Sequence, residues 1–137
     1  MKSKFLRSPI LGMLVLCLGG CSGNPEKTPE QALVGRAQAY WEAGKLRDFA
    51  TVYRLESDAL DGKLRPDQAQ RTAPQSRLLS YEFKHIQIHD KEAEIEVVGK
   101  FSLPQLHQPF TSITVDHWIL IDGQWYHRTS ASPLLAR

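Results

Sequence analysis

The chain has few cysteines and none of the common catalytic motifs. Only two of its 137 residues are cysteine, at positions 17 and 21, and none follows Cys21. A disulfide framework beyond that point is excluded, so the rest of the chain must be stabilised by a packed core. The sequence also lacks a phosphate-binding glycine loop, a Gly-x-Ser-x-Gly elbow and a zinc-protease helix. These absences remove the enzyme classes that such motifs identify.

A strong excess of charge is missing as well. Lys and Arg number 17 against 15 Asp and Glu, a net charge of +2 with histidine neutral. No basic nucleic-acid surface is therefore predicted. Among the five histidines, His85 and His89 fall in a predicted strand, where they would lie about 13 Å apart, too far to share a metal ion. The sequence predicts neither a metal site nor a cofactor.

The N-terminal segment has the order of an export signal. Three basic residues and no acidic one lie in the first seven positions, and an apolar run follows from Pro9 to Leu18. This run is far shorter than the roughly 20 apolar residues that a spanning helix needs. Residues 1–20 are therefore predicted to be a signal peptide that is removed from the mature protein.

The sequence Leu18-Gly19-Gly20-Cys21 resembles the lipobox of bacterial lipoproteins. The resemblance implies cleavage before Cys21 and a diacylglyceryl group on its thiol, whereas the alternative is an ordinary secretory signal with an incidental cysteine. Each buried methylene contributes about 0.8 kcal/mol, so two or three chains would hold the protein at a membrane. Residues 21–27 would then be a lipidated cysteine and a tether. Ser22, which is not Asp, favours the outer membrane facing the periplasm in a Gram-negative cell.

Removal of residues 1–20 changes the charge balance of the protein. The segment holds three of the 17 basic residues and no acidic one, so 14 basic residues remain against 15 acidic ones. The mature chain is therefore near neutral, with a net charge of −1.

Helices are predicted for the first part of the remaining chain. Thr28 with Gln31 three residues later is typical of a capping box, and Gly44 suits a helix end. A second helix is predicted over 48–60 and a short third one over 67–71. Gly44 is also a candidate for the inward-facing stripe of the first helix. The other residues predicted to face inward from the first two helices are Leu33, Ala37, Tyr40, Trp41, Phe49, Val52, Tyr53 and either Ala59 or Leu60.

Strands are predicted for the second part. Apolar and charged residues alternate over 93–103, which indicates a strand with one exposed face. Asp122-Gly123 is a strong signal for a two-residue hairpin turn. The predicted strands are 81–88, 93–103, 110–121 and 124–129. Helices followed by an antiparallel meander predict an α+β fold.

The order of these elements resembles the nuclear transport factor 2-like superfamily. The similar segments are YWEAGKLRDFATVYRL, over 40–55, and DHWILIDGQWYHR, over 116–128, in which two Trp residues flank the Asp-Gly turn. The length of the chain after residue 20 predicts a single domain, over 28–137. The resemblance spans about 29–129 and implies two or three helices packed on a curved antiparallel sheet to form a cone. The superfamily includes ketosteroid-isomerase-like and SnoaL-like cyclase enzymes as well as non-catalytic binding domains, so the resemblance does not select a function.

Two groups of residues are candidates for a site in such a cone. A two-residue turn would place Trp118 opposite His127, and Asp116 would then meet His127 diagonally. A carboxylate beside a histidine can serve acid–base catalysis. The alternative is that the two residues form a structural pair at the sheet edge. The aromatic residues either line an apolar pocket or fill the core; they are Tyr40, Trp41, Tyr53, Trp118 and Trp125.

Three functions remain open from the sequence. The first is a non-catalytic, lipid-anchored domain of the cell envelope that binds a small apolar ligand or an envelope protein. The second is an isomerase- or cyclase-like enzyme that uses Asp116 with His127. The third is a structural subunit of an envelope complex without a pocket. The exposed strand residues also allow a homodimer.

The lipobox generates a prediction about Cys21. We expect the intact mass of membrane-extracted protein to include the acyl groups, and a Cys21→Ser variant to lose them because it lacks the thiol that carries the lipid. A Cys17→Ser variant is the matched control, since Cys17 lies in the segment that is removed. Wild-type protein without acyl mass would contradict the prediction.

Overall fold

A computed structural model of the chain describes residues 26–71 and 74–129. The predicted signal peptide, Cys21 and most of the predicted tether lie outside the described residues. So do residues 130–137 of the predicted domain. Within the described part of the chain, no helix is both long and apolar enough to cross a membrane.

Four helices precede the sheet. The predicted capping box is confirmed at the first of them: the Thr28 hydroxyl accepts from the Gln31 N–H at 3.2 Å, and the Gln31 side chain accepts from the Thr28 N–H at 3.0 Å. Each contact satisfies a backbone donor that a helix start leaves free. The helices are α1 (Pro29–Leu46), α2 (Phe49–Leu55), α3 (Ser57–Leu60) and α4 (Pro66–Arg71).

Of the two roles that the sequence allowed for Gly44, a place within α1 is the one observed, and the helix does not end there. The helix continues to Leu46, and Arg47 closes it in the left-handed conformation with φ 58°. The N–H of Asp48 then reaches back to the carbonyl of Ala43 at 2.8 Å, the hydrogen bond that defines a Schellman ending. Gly44 remains helical because the left-handed residue comes three positions later.

The predicted second helix over 48–60 is in fact two helices. The break is at Glu56, which is extended (φ −84°, ψ 133°) and forms an isolated parallel bridge with His127. This bridge draws the chain onto the edge of the sheet and interrupts the helical hydrogen bonds. Leu55 is buried there, whereas Leu60, which was expected inside, is exposed.

The sheet is an antiparallel meander in the order β1-β2-β3-β4. Asp122 and Gly123 both have positive φ, 49° and 77°, and form the predicted two-residue turn. Trp118 lies opposite His127, as predicted. The α+β fold is confirmed, and three strands match their predicted bounds within one residue, while the first begins four residues earlier. The strands are β1 (Arg77–His89), β2 (Glu92–Ser102), β3 (Phe110–Ile121) and β4 (Gln124–Arg128).

The helices pack on one face of this sheet. Arg36 of α1 donates to the Trp125 carbonyl at 2.8 Å and places its guanidinium over the Tyr126 ring. Two register shifts in β1 are bulges, which bend a strand. The core between the layers consists of Leu33, Ala37, Ala93, Ile95, Val97, Trp118 and Trp125.

The core generates a prediction about stability. Leu33 is fully buried whereas Leu46, in the same helix, is 75% exposed. We expect Leu33→Ala to lower the free energy of unfolding by about 2 to 5 kcal/mol, because it removes buried apolar surface and leaves a cavity. Leu46→Ala is the matched control and should change stability by no more than about 0.5 kcal/mol. Equal losses in urea denaturation would contradict this assignment of the core.

Candidate functional site

A cavity of about 540 Å³ lies where the helices meet the sheet. Its volume falls within the range of small-molecule binding sites, about 300 to 1,000 Å³. Every helix contributes to its wall, together with the first two strands and the end of the last hairpin. The lining residues are Tyr40, Trp41, Gly44, Arg47, Phe49, Val52, Glu56, Asp58, Leu64, Ala69, Pro74, Ser76, Leu78, Phe101 and Thr129.

The five aromatic residues singled out in the sequence divide between cavity and core. Tyr40 and Trp41 of α1 lie on the cavity wall. Trp118 and Trp125 are 1% and 2% exposed and belong to the core. Tyr53 is half-buried on α2 and does not line the cavity. The division follows from register, because Trp118 and Trp125 sit on the sheet face that α1 covers.

A buried carboxylate, Glu56, organises the polar end of the cavity. Its exposed fraction is 4%. Three groups surround it: the Tyr40 hydroxyl donates at 2.7 Å, the Thr129 hydroxyl donates at 3.0 Å, and His127 Nδ1 lies at 3.0 Å. We call Tyr40, Glu56, Asp116, His127 and Thr129 the Glu56 cluster.

Sequence reasoning missed Glu56 because it fell inside a predicted continuous helix. An acidic residue between helical stretches normally faces water, and neither its neighbours nor the hydrophobic pattern marks it as different. The bridge to His127 that buries it joins residues 71 positions apart. No local pattern in the sequence predicts that contact.

Asp116 and His127 do meet, as the hairpin register predicted. His127 Nε2 lies 3.8 Å from Asp116 Oδ1, and both side chains are largely buried. This separation is that of an ion pair and is too long for a hydrogen bond. The other oxygen of Asp116 accepts from the indole N–H of Trp41 at 2.5 Å. His127 therefore lies between two carboxylates, one at each ring nitrogen.

The charges of the cluster follow from this arrangement. Burial by itself lowers the pKa of His127, but Asp116 and Glu56 outweigh it and raise that pKa to about 9. Burial likewise opposes ionisation of Glu56, yet the contacts from His127, Tyr40 and Thr129 lower its pKa. Burial and the adjacent Glu56 raise the pKa of Tyr40, which stays a neutral donor. Near neutral pH Glu56 is therefore ionised and His127 is an imidazolium.

Aromatic packing fixes the position of the imidazole. The ring of His127 stacks on Tyr40 at 4.3 Å between centroids and meets the Trp118 ring at 5.4 Å with an interplanar angle of 74°. Tyr40 thus covers one face of the ring, Trp118 packs beside it, and a carboxylate lies near each nitrogen. Among the described residues, no group of three or more His, Cys, Asp or Glu is placed to hold a metal ion.

Comparison with known proteins identifies the fold only. No family model and no curated protein matches the chain. The solved structures to which the chain is similar include the following three. A SEC-C motif containing protein from Psychrobacter arcticus has a TM-score of 0.58 at 13% identity, over 70% of this chain and 58% of that one. A second SEC-C motif containing protein, from Rhodopseudomonas palustris, has a TM-score of 0.57 at 13% identity, over 68% of this chain and 72% of that one. A LEH-like epoxide hydrolase from M. tuberculosis has a TM-score of 0.52 at 14% identity, over 74% of this chain and 80% of that one.

These similarities support the nuclear transport factor 2-like prediction at the level of the fold. Identities of 13 to 14% carry no information about which chemistry this chain performs. The lipobox prediction concerns residues outside the described part of the chain. The function must therefore be inferred from the cavity and the Glu56 cluster.

The Glu56 cluster generates a prediction about pH and stability. The folded-state pKa of His127, about 9, exceeds its ordinary value of 6.5. Its stabilising contribution is therefore complete below about pH 6.5 and is lost as the pH rises through about 9. The lowered pKa of Glu56 acts in the opposite direction, and its contribution is lost as the pH falls through the folded-state value.

A His127→Phe variant tests this linkage. It keeps an aromatic ring between Tyr40 and Trp118 but leaves two buried carboxylates without a cation, which should cost about 3 to 5 kcal/mol near neutral pH. In urea unfolding, the wild-type free energy of unfolding should decline between about pH 6.5 and pH 9, and this decline should be absent in the variant. His85→Phe, at an exposed position, should keep the decline. A His127→Phe profile parallel to wild type would refute the assignment.

Proposed function

We propose that this protein is a lipid-anchored lipoprotein of the cell envelope whose domain binds a small, largely apolar ligand without catalysing a reaction. The observation that carries the proposal is the 540 Å³ cavity, whose wall is mostly aromatic and aliphatic and whose polar end is already hydrogen-bonded internally. Such a combination is typical of binding pockets.

The cavity wall supplies the binding energy in this proposal. Trp41, Phe49, Val52, Leu78 and Phe101 come from four separate elements and present apolar side chains to one space. Burial of apolar ligand surface contributes about 25 cal/mol per Å². The aromatic rings also give the ligand a shaped wall, with Trp41 held by its hydrogen bond to Asp116.

The polar end of the cavity supports orientation of the ligand. Tyr40, Glu56 and Thr129 line the cavity and also bond to one another. Because the carboxylate is held by three protein groups, it does not need the ligand to be stable in its buried position. A ligand that enters therefore meets a fixed, negatively charged end and an apolar wall.

The alternative of an Asp116–His127 enzyme receives less support. A general base must lie within hydrogen-bond reach of the proton that it removes. Neither Asp116 nor His127 lines the cavity in which a substrate would bind. The two flanking carboxylates also hold His127 as imidazolium, with its pKa raised to about 9, so that a neutral imidazole is scarce near neutral pH. The purely structural alternative does not account for an open cavity.

The location rests on the sequence. Lipid on Cys21 and the short tether over 21–27 would keep the domain next to a membrane, on the periplasmic face of the outer membrane in a Gram-negative cell. A partner protein or a second copy of the chain could use the other face of the sheet, where Ile113 and Val115 are exposed. The apolar ligand would then be handled at the membrane surface.

The two glycines of α1 test the cavity. Gly44 lines the cavity, whereas Gly35 does not, and a Cβ atom added at either position would meet no other atom within 4 Å. We expect Gly44→Phe to weaken binding of the neutral fluorophore N-phenylnaphthylamine about tenfold or more, because the ring occupies the site. Fluorescence titration of the purified protein in lipid nanodiscs, with empty nanodiscs subtracted, measures it.

Gly35→Phe is the matched control. Both substitutions replace a helical glycine by the same residue, so their effects on helix propensity should be similar. Wild-type affinity in Gly35→Phe together with loss in Gly44→Phe supports the cavity as the binding site. No saturable binding to wild-type protein, or equal binding by both variants, would overturn the proposal.

A further inference from the structure

Arg47 joins the cavity to a second space. Its side chain lines the cavity and also an adjoining recess of about 360 Å³. The recess brings in a second cation, Arg77, together with Gln75 and Ser102. Both arginines are exposed, whereas Glu56 is buried. The cationic groups therefore lie at the solvent end of the cavity, away from the anionic one.

Neither arginine is neutralised by a carboxylate within the described residues. Arg47 contacts the Pro74 carbonyl at 3.4 Å and the face of the Phe49 ring at 5.2 Å, and both of these partners are uncharged. In contrast, Arg71 of α4 forms an ion pair with Asp67 at 2.7 Å. Arg47 and Arg77 thus have positive charge available for a ligand.

The backbone at Arg47 is unusual for an arginine. It adopts φ 58°, at the helix-ending position that glycine most often occupies. The other non-glycine residues with positive φ in the described part are Asp90 and Asp122, a residue type that tolerates this region better. Backbone strain of this kind tends to persist where the side chain serves a function. Arg47 combines that strain with a place on the cavity wall.

The charges of the cavity select the orientation of an ionic ligand. The Glu56 cluster holds two carboxylates and one imidazolium, and Asp58 also lines the cavity, so an acidic group is repelled from the buried end. The guanidinium of Arg47 attracts such a group at the exposed end. An anion with an apolar tail can satisfy both ends and the apolar wall between them.

We propose that the ligand is a single-chain amphipath with an anionic head group, a carboxylate or a phosphate, whose head binds Arg47 and Arg77 while its chain fills the cavity. This inference rests on the proposed binding function and adds the chemical class of the ligand. Guanidinium groups bind both kinds of head through charge-assisted hydrogen bonds. The head remains near solvent, as an amphipath delivered from a membrane surface requires.

Four probes with one chain and different heads test the class of ligand. Octanoate, octyl phosphate, octanol and octylammonium are titrated by calorimetry into the purified protein in lipid nanodiscs, with empty nanodiscs subtracted. We expect one or both anions to bind about tenfold more tightly than octanol, and octylammonium to bind no better than octanol. The two anions distinguish a fatty acid from a phospholipid-like source. The advantage should shrink at high salt because both arginines are exposed.

Substitutions at the exposed end assign the effect to its residues. Arg47→Gly removes the guanidinium and suits the left-handed backbone, so it should bind the anions about as weakly as octanol while resisting urea at least as well as wild type. Arg77→Gln should lose part of the preference. Asp90→Gly, which relieves the same backbone conformation in the β1–β2 turn, is the control and should keep the full preference.

The outcomes separate this inference from the function on which it rests. If octanol binds and the anions bind no better, or if octylammonium binds best, the anionic class is overturned and the binding function stands. If the anionic preference persists in both Arg47→Gly and Arg77→Gln, the assignment to these residues is overturned. If no probe binds, the proposed function fails together with the inference.

Discussion

The buried carboxylate of Glu56 is the group around which the cavity is built. An ionised side chain inside a protein costs several kcal/mol unless it is paired and hydrogen-bonded. Glu56 meets that requirement only when α1 supplies Tyr40, β4 supplies His127, and Thr129, directly after β4, supplies its hydroxyl. One carboxylate therefore constrains the first helix, the break between α2 and α3 and the last strand. The first helix and the segment at this break also form part of the cavity wall.

The wall also depends on how α1 ends. Gly44 has no side chain and leaves space at a point where a larger residue would enter the cavity. Arg47 then turns the chain in a left-handed conformation and carries a charge to the solvent end. Helix stability alone would favour a residue other than glycine at position 44, inside the helix, and glycine at position 47, where the helix ends. This chain has the reverse. This exchange is best explained by an open cavity with a cation at its entrance.

The fold by itself does not decide between binding and catalysis. The similar solved structures include SEC-C motif proteins and an epoxide hydrolase, at 13 to 14% identity. The local chemistry of this chain is more informative. His127 has a carboxylate near each nitrogen and the Tyr40 ring stacked on one face, which suits a structural ion pair. The cavity borders Glu56 and Arg47 instead, and these charges sort ligands by their head groups.

The sequence by itself determined the features that depend on neighbouring residues. The capping box at Thr28, the alternation along β2 and the Asp122-Gly123 turn are local, and the turn fixed which residues of β3 and β4 face each other. The break at Glu56 and the division of the aromatic residues between core and cavity were decided only by the tertiary structure. Both arise from contacts between residues far apart in the chain, where burial and pairing of charge outweigh local helix propensity.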